Sequence, residues 1–117
     1  ILQNHRAESL FWLGLADRSH AEGIGLEFGL ERLERAAEAA VRANDRVLSL
    51  RIANRRAEAL MQAGEIEAAG QHSRQAMQIM EAPEATDGDI SQIVGVRLRC
   101  LSLSGQLGEA RRLHDMA

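Results

Sequence analysis

Apolar residues recur at helical spacing along almost the whole of this chain, and nowhere do they alternate over six residues between turn signals as a half-buried strand requires. That pattern restricts the 117 residues to an all-α fold. The length is that of one domain, since chains divide into units of roughly 100 to 200 residues. Hydrophobic residues at 45% and charged residues at 26% place it among sequences that fold rather than among disordered ones. Aromatics at 3%, no Tyr and a single Pro further favour helices.

Six helical segments can be marked off. The first, 2–20, carries Leu10, Leu13 and Ala16 beside Phe11, Trp12 and Leu15, a wide apolar face expected to be well buried. The second, 26–44, has one stripe of Leu26, Leu30, Leu33, Ala37 and Ala40, with Glu31–Arg35 and Glu38–Arg42 pairs on the opposite face. Asp45 is placed to cap the third, 46–63, whose inner residues are Val47, Leu48, Ile52, Ala53, Ala57 and Leu60; Gly64 ends it. The fourth, 66–80, offers Ile66, Ala69, Ala76, Ile79 and Met80 and is stopped by Pro83. After a loop at 81–89, Asp89 or Ser91 caps the fifth, with Ile93, Val94, Leu98 and Leu101 inside and Gly105 at its end. The sixth begins at Leu107 and presents Leu107, Ala110, Leu113, His114 and Ala117. The chain starts at Ile1 and stops inside a helical pattern, so it reads as a piece of a longer protein.

Helices joined by short glycine-marked turns pair as antiparallel hairpins, and these hairpins repeat. Residues 57–69 align with 98–110 at a shift of 41, with Gly, Leu and Ala at matching places. Ala40 to Ala76 spans 36 residues and Ala76 to Ala117 spans 41, the excess falling in the Pro83 loop. A small residue late in one helix, a Leu three further on, a Gly at the turn and an Ala five beyond it resemble the tetratricopeptide repeat. The residues are Ala57, Leu60, Gly64, Ala69 and Ala76, then Leu98, Leu101, Gly105, Ala110 and Ala117. The first unit matches through Leu10, Leu13, Gly14, Leu33, Ala37 and Ala40, and departs by an insertion around 21–28; Arg56 stands where the family is apolar.

The resemblance implies a right-handed stack of three hairpins, about 2–44, 46–81 and 89–117, in which each hairpin lends its neighbour an apolar wall. Ala57 or Gly14 then marks a close helix crossing. It also implies a concave face lined by the first helix of each hairpin and used to bind a protein or peptide, as in regulatory regions of large bacterial signalling and transcription proteins. Carried over residue by residue, that face holds Glu8, Phe11, Trp12, Leu15 and Arg18, then Arg51, Asn54, Arg55, Glu58 and Gln62, then Gln92, Val96 and Arg99. Arg51, Arg55 and Arg99 would grip carboxylates of an acidic peptide, Asn54 its backbone, and Trp12 or Phe11 an apolar side chain. The competing expectation is that these arginines pair with Glu58 and neighbouring acids. Phe11 and Trp12 differ by about 100° on a helix, so either one of them meets an interface or both lie under the inserted turn or a preceding repeat. A second function, self-association, follows from the apolar face of the sixth helix around Leu113, which stacked repeats must cover.

Other chemistries find little in the sequence. A net charge of −3 supplies no field for nucleic acid, and evenly repeated hairpins do not suit a helix-turn-helix reader. All fourteen basic residues are Arg. Cys100 has no partner for a disulfide or a zinc site and lies on or beside an apolar face, where a thiol is inert, which fits a reducing, cytoplasmic setting. His5, His20, His72 and His114 have no His or Cys three or four residues away, so no metal is expected. Gly23, Gly25 and Gly29 lack the preceding strand of a phosphate loop and are read as a turn. No nucleophile, base and oxyanion set is discernible, no cofactor is expected, and apolar stretches fall well short of the ~20 residues that span a bilayer. Met61, Met77, Met80 and Met116 read as gap-fillers of the core or its rim. The chain is therefore expected to be a non-catalytic recognition module.

Overall fold

The computed structural model describes residues 1–21 and 25–116, and only the backbone of 19–21, 107 and 110. It contains α1 (Leu2–Ala21), α2 (Leu26–Arg42), α3 (Arg46–Gln62), α4 (Ile66–Ala76) continued by a 3-10 turn (Met77–Glu81), α5 (Asp87–Leu103) and α6 (Leu107–Met116). No strand occurs among the described residues.

Three helix ends close by the same backbone device. Gly64 and Gly105 (φ 81° each) and Asn44 (φ 54°) occupy the left-handed region. At each, the next residue's N–H reaches back five residues: Glu65 to the Leu60 carbonyl, Gln106 to Leu101, Asp45 to Ala40. The left-handed residue's own N–H goes back three, to Met61, Ser102 and Val41. This pattern satisfies the last carbonyls of a helix and favours Gly or Asn, which enter the region most readily. Asp45 then caps α3, its Oδ1 accepting the Leu48 N–H at 3.0 Å. Thr86, rather than Asp89 or Ser91, caps α5: its hydroxyl accepts the Asp89 N–H while Asp89 accepts the Thr86 N–H, a capping box. Pro83 forces Ala82 into an extended conformation (φ −88°, ψ 117°), so the fourth helix tightens into its 3-10 turn and Met80 ends up exposed.

The helix boundaries recur at nearly constant offsets. α3 and α5 share boundaries at an offset of 41 (46 to 87 and 62 to 103), and α2, α4 and α6 begin at 26, 66 and 107. The insertion expected near 21–28 is not needed to place α2; residues 22–24 themselves lie outside the described residues. The buried stripe of α2 is Leu33, Ala36, Ala39 and Ala40, with Ala37 only partly covered. Leu33, Ala36 and Ala39 stand 40 before Ser73, Ala76 and Ile79, all buried, so the period is not 36 there. An alanine-rich run admits two adjacent stripes of equal hydrophobicity, and only the neighbouring helix selects one.

Each helix packs on the next in sequence, and α3 also touches α5. No comparable packing joins α1 to α5 or α6 among the described residues. One core patch joins Ala16, Leu33, Ala36, Ala40, Leu48 and Ile52 between α1, α2 and α3. A second joins Val47, Leu50, Ala53, Ala76, Ile79, Ala82 and Ile93, and a third Val94, Leu101 and Leu113. The molecule measures 44 × 34 × 19 Å, its least dimension being about two helix diameters. Leu60 and Leu98 are half-buried and His114 is exposed, whereas Arg97 is buried, donating to the Gly70 carbonyl at 3.2 Å and lying 3.8 Å from Glu109. That arginine ties α4, α5 and α6 together.

α1 departs most from expectation. Ser9 and Ala16 are its buried residues, Ser9 donating to the Ala36 carbonyl at 2.7 Å, while Leu10 and Phe11 are exposed. Ala16, 41 before Ala57, is the small residue at the crossing; Gly14 is exposed and an added Cβ there would meet nothing within 4 Å. Its equivalences with the other units therefore shift by two residues, about 200° around the helix.

Candidate functional site

α3 packs beside α5, and ion pairs between residues 38 to 41 apart link α1 to α3 and α3 to α5. Arg6 of α1 meets Asp45 at 3.0 Å across 39 residues, Arg55 of α3 meets Asp17 of α1 at 2.9 Å across 38, and Arg51 of α3 meets Asp89 of α5 across 38. Arg99 of α5 reaches Glu58 of α3 at 3.8 Å. Between these helices runs a groove. A cleft of about 150 Å³ lined by Asp17, Leu33, Arg55, Glu58 and Gln62 meets one of about 320 Å³ lined by Arg55, Glu58, Gln92, Val96 and Arg99. A smaller hollow of about 70 Å³ opens beside them over Leu13, Arg51, Asn54, Asp89 and Gln92, and Arg55 borders all three.

Of the residues the resemblance implied, Arg51, Asn54, Arg55, Glu58, Gln62, Gln92, Val96 and Arg99 line these three hollows. Two of them are not surface groups. Val96 is buried, and Asn54 is 3% exposed at the bottom of the small hollow, where its Oδ1 is buried with no hydrogen-bond partner among the described residues.

The residues expected from α1 fall elsewhere. Glu8 lies 3.4 Å from Arg42 of α2, Trp12 stacks under Arg35 of α2 at 5.0 Å, and the Leu15 carbonyl accepts from Arg32 of α2 at 3.1 Å. Phe11 is exposed and meets the Trp12 ring edge-on at 5.5 Å. Arg18 is exposed as well. Leu13 and Asp17 take their place at the groove. In the corrected register they precede Asn54 and Glu58 by 41, a signal present in the sequence once Ala16 is aligned with Ala57.

The groove arginines differ in availability. Arg51 donates two parallel bonds to Asp89, Nε to Oδ1 and Nη2 to Oδ2, both at 2.8 Å. Asp89's side chain is 11% exposed and Arg51's 39%. The Arg51 guanidinium above all, with the Thr86 donors, holds the Asp89 carboxyl well below the usual carboxylate range, and the same bond raises Arg51. This pair is a structural clasp. Arg55–Asp17 and Arg99–Glu58 are open to solvent, and pairs of that kind contribute about 0–1 kcal/mol, so a ligand can exchange them.

Among the described residues no three His, Cys, Asp or Glu side chains converge as metal ligands, and no helix is long and apolar enough to cross a membrane. Cys100 is buried, with Sγ 3.9 Å from the Ile66 carbonyl. No protein-family model, curated protein or solved structure matches this chain.

Proposed function

We propose that this chain is a tetratricopeptide-like stack of three hairpins, and that it binds an extended acidic protein segment in the groove along α1, α3 and α5 without catalysing a reaction. The observation that carries the reading is Arg55, which borders all three hollows and is held, among the described residues, by the exposed Asp17 carboxylate. The 41-residue offset between α3 and α5 supports the stacking. A ligand carboxylate displaces Asp17 from Arg55, and a second displaces Glu58 from Arg99. The cost of breaking two solvated pairs is small against new bidentate contacts in a groove that excludes part of the water. Regulation of an attached domain in a cytoplasmic protein fits such a module.

Fluorescence anisotropy with labelled acidic peptides tests this. Arg55→Ala and Arg99→Ala should each weaken binding while leaving the melting curve in place, and Asp17→Asn should strengthen it by removing the internal competitor. Unchanged affinity in the doubly substituted Arg55→Ala, Arg99→Ala chain would sink the reading.

A second reading, self-association through the C-terminal end, is favoured by exposed Leu103 and Met116. Leu113 is not its handle, being buried against Val94 and Leu101. Sedimentation of a Met116→Glu variant tests it: a dimer dissociated by that change, with peptide affinity kept, would support assembly.

A further inference from the structure

The first two units of the repeat differ in side-chain bulk at one corner of the groove. α4 begins 40 residues after α2, which pairs Gly29 with Ala69; α5 begins 41 after α3, which pairs Ala59 with Cys100. Ala69 and Cys100 are buried, whereas Gly29 and Ala59 are half-buried. The first unit therefore carries one methyl group less on α2 and one sulfur less on α3 than the second. Both of the smaller residues line the groove's hollow of about 150 Å³. A Cβ added at Gly29 would meet nothing within 4 Å among the described residues, so the space beside this glycine is open. Glycine inside a helix is less favourable than alanine, and nothing in the φ of Gly29 requires it.

The same hollow is lined by the buried Ala16 and Leu33 and the half-buried Leu26, an apolar interior. Arg55, Asp17 and Gln62, all exposed, border it, together with the half-buried Glu58. Two carboxylates at its edge oppose entry of a third, while Arg55, whose bond to Asp17 is open to solvent, draws one to the rim.

We propose that this hollow is the anchor pocket of the groove: it takes a phenylalanine-sized apolar side chain of the bound segment while Arg55 takes a carboxylate two residues away in that segment. This rests on the acidic-segment reading above and adds to it the apolar residue that must accompany the acids. The volume is about that of an apolar cavity that takes up benzene. Side chains of an extended segment face the same way at every second residue, which sets the spacing between anchor and acid.

Two labelled peptides with identical flanks, one containing Glu-Ser-Phe-Ser-Glu and the other Glu-Ser-Ala-Ser-Glu, test the pocket by fluorescence anisotropy. On the unaltered chain the Phe peptide should bind roughly tenfold more tightly than the Ala peptide. Gly29→Leu fills the hollow and should bring that ratio to about one. Gly29→Ala adds a single methyl group and suits a helix better than glycine; it should keep the melting curve in place and lower the ratio to a few-fold. Arg55→Ala should weaken both peptides. Equal affinity of the two peptides for the unaltered chain, with both still weakened by Arg55→Ala, overturns the anchor pocket and leaves the groove reading standing. A tenfold ratio that survives Gly29→Leu also overturns it, since the ring would then sit elsewhere. If neither peptide binds, the groove reading falls and the anchor with it.

Discussion

Asp89 holds two structural roles at one carboxylate, and removing it should show both. In Asp89→Ala the bidentate acceptor of Arg51 is lost together with one leg of the α5 capping box. With Asp89 nearly covered but Arg51 over a third exposed, solvent screening keeps the pair to about 1 kcal/mol, well below a fully buried one. The capping leg adds about 1 kcal/mol, the usual worth of a helix N-terminal bond. The total, about 2 kcal/mol, corresponds to a fall in Tm of roughly 8 °C in a domain of this size. A double-mutant cycle in urea with Arg51→Met isolates the pair, and its coupling should be about 1 kcal/mol. The pH dependence supplies the independent check. Asp89's folded pKa lies below its unfolded value, so its contribution is complete above about pH 4 and is lost as pH falls further toward the folded value. The stability gap between the native chain and Asp89→Ala should therefore narrow below about pH 4. A gap that stays constant from pH 7 to pH 3, or a coupling indistinguishable from zero, would refute the assignment of the clasp.

Ala57 is fully buried at the crossing of α3, and Ala57→Leu should overpack it at a cost of roughly 1–3 kcal/mol, read from the urea midpoint. Gly64→Ala places a Cβ at φ 81°, where space is open but the backbone is strained; a loss of about 1 kcal/mol by thermal melting is expected, mirrored by Gly105→Ala at the equivalent turn. Burial first, and the Arg56 charge second, push the His72 pKa below its ordinary value. Its neutral form thus favours the fold above about pH 6.5 and that contribution is lost as pH falls; His72→Gln should flatten the drop in urea midpoint over this range.

The groove residues legible in the sequence are those on α3 and α5, where Gly64 and Gly105 give an unambiguous register and, on α3, Arg51, Arg55 and Glu58 recur about once a turn. On α1 it failed because apolar side chains surround the helix: Leu10, Phe11, Trp12, Leu13 and Leu15 leave no single face to bury. The choice of Gly14 over Ala16 as the crossing residue then assigned to the groove Glu8, Trp12 and Leu15, which the structure sets against α2. Ala16, 41 before Ala57, carried the register in which Leu13 and Asp17 reach the groove.

Helix content, the glycine-terminated ends and the Asp45 cap were settled within a few residues of themselves, because a left-handed φ or a capping oxygen acts on the backbone beside it. Which alanines of α2 went inside, whether Asn54 and Val96 would be reachable, and which acid each arginine would take depended on helices about forty residues away. Small side chains and long flexible cations carry little directional information of their own, so their partners are chosen only when a neighbouring helix arrives and the close contact or the ion pair is made.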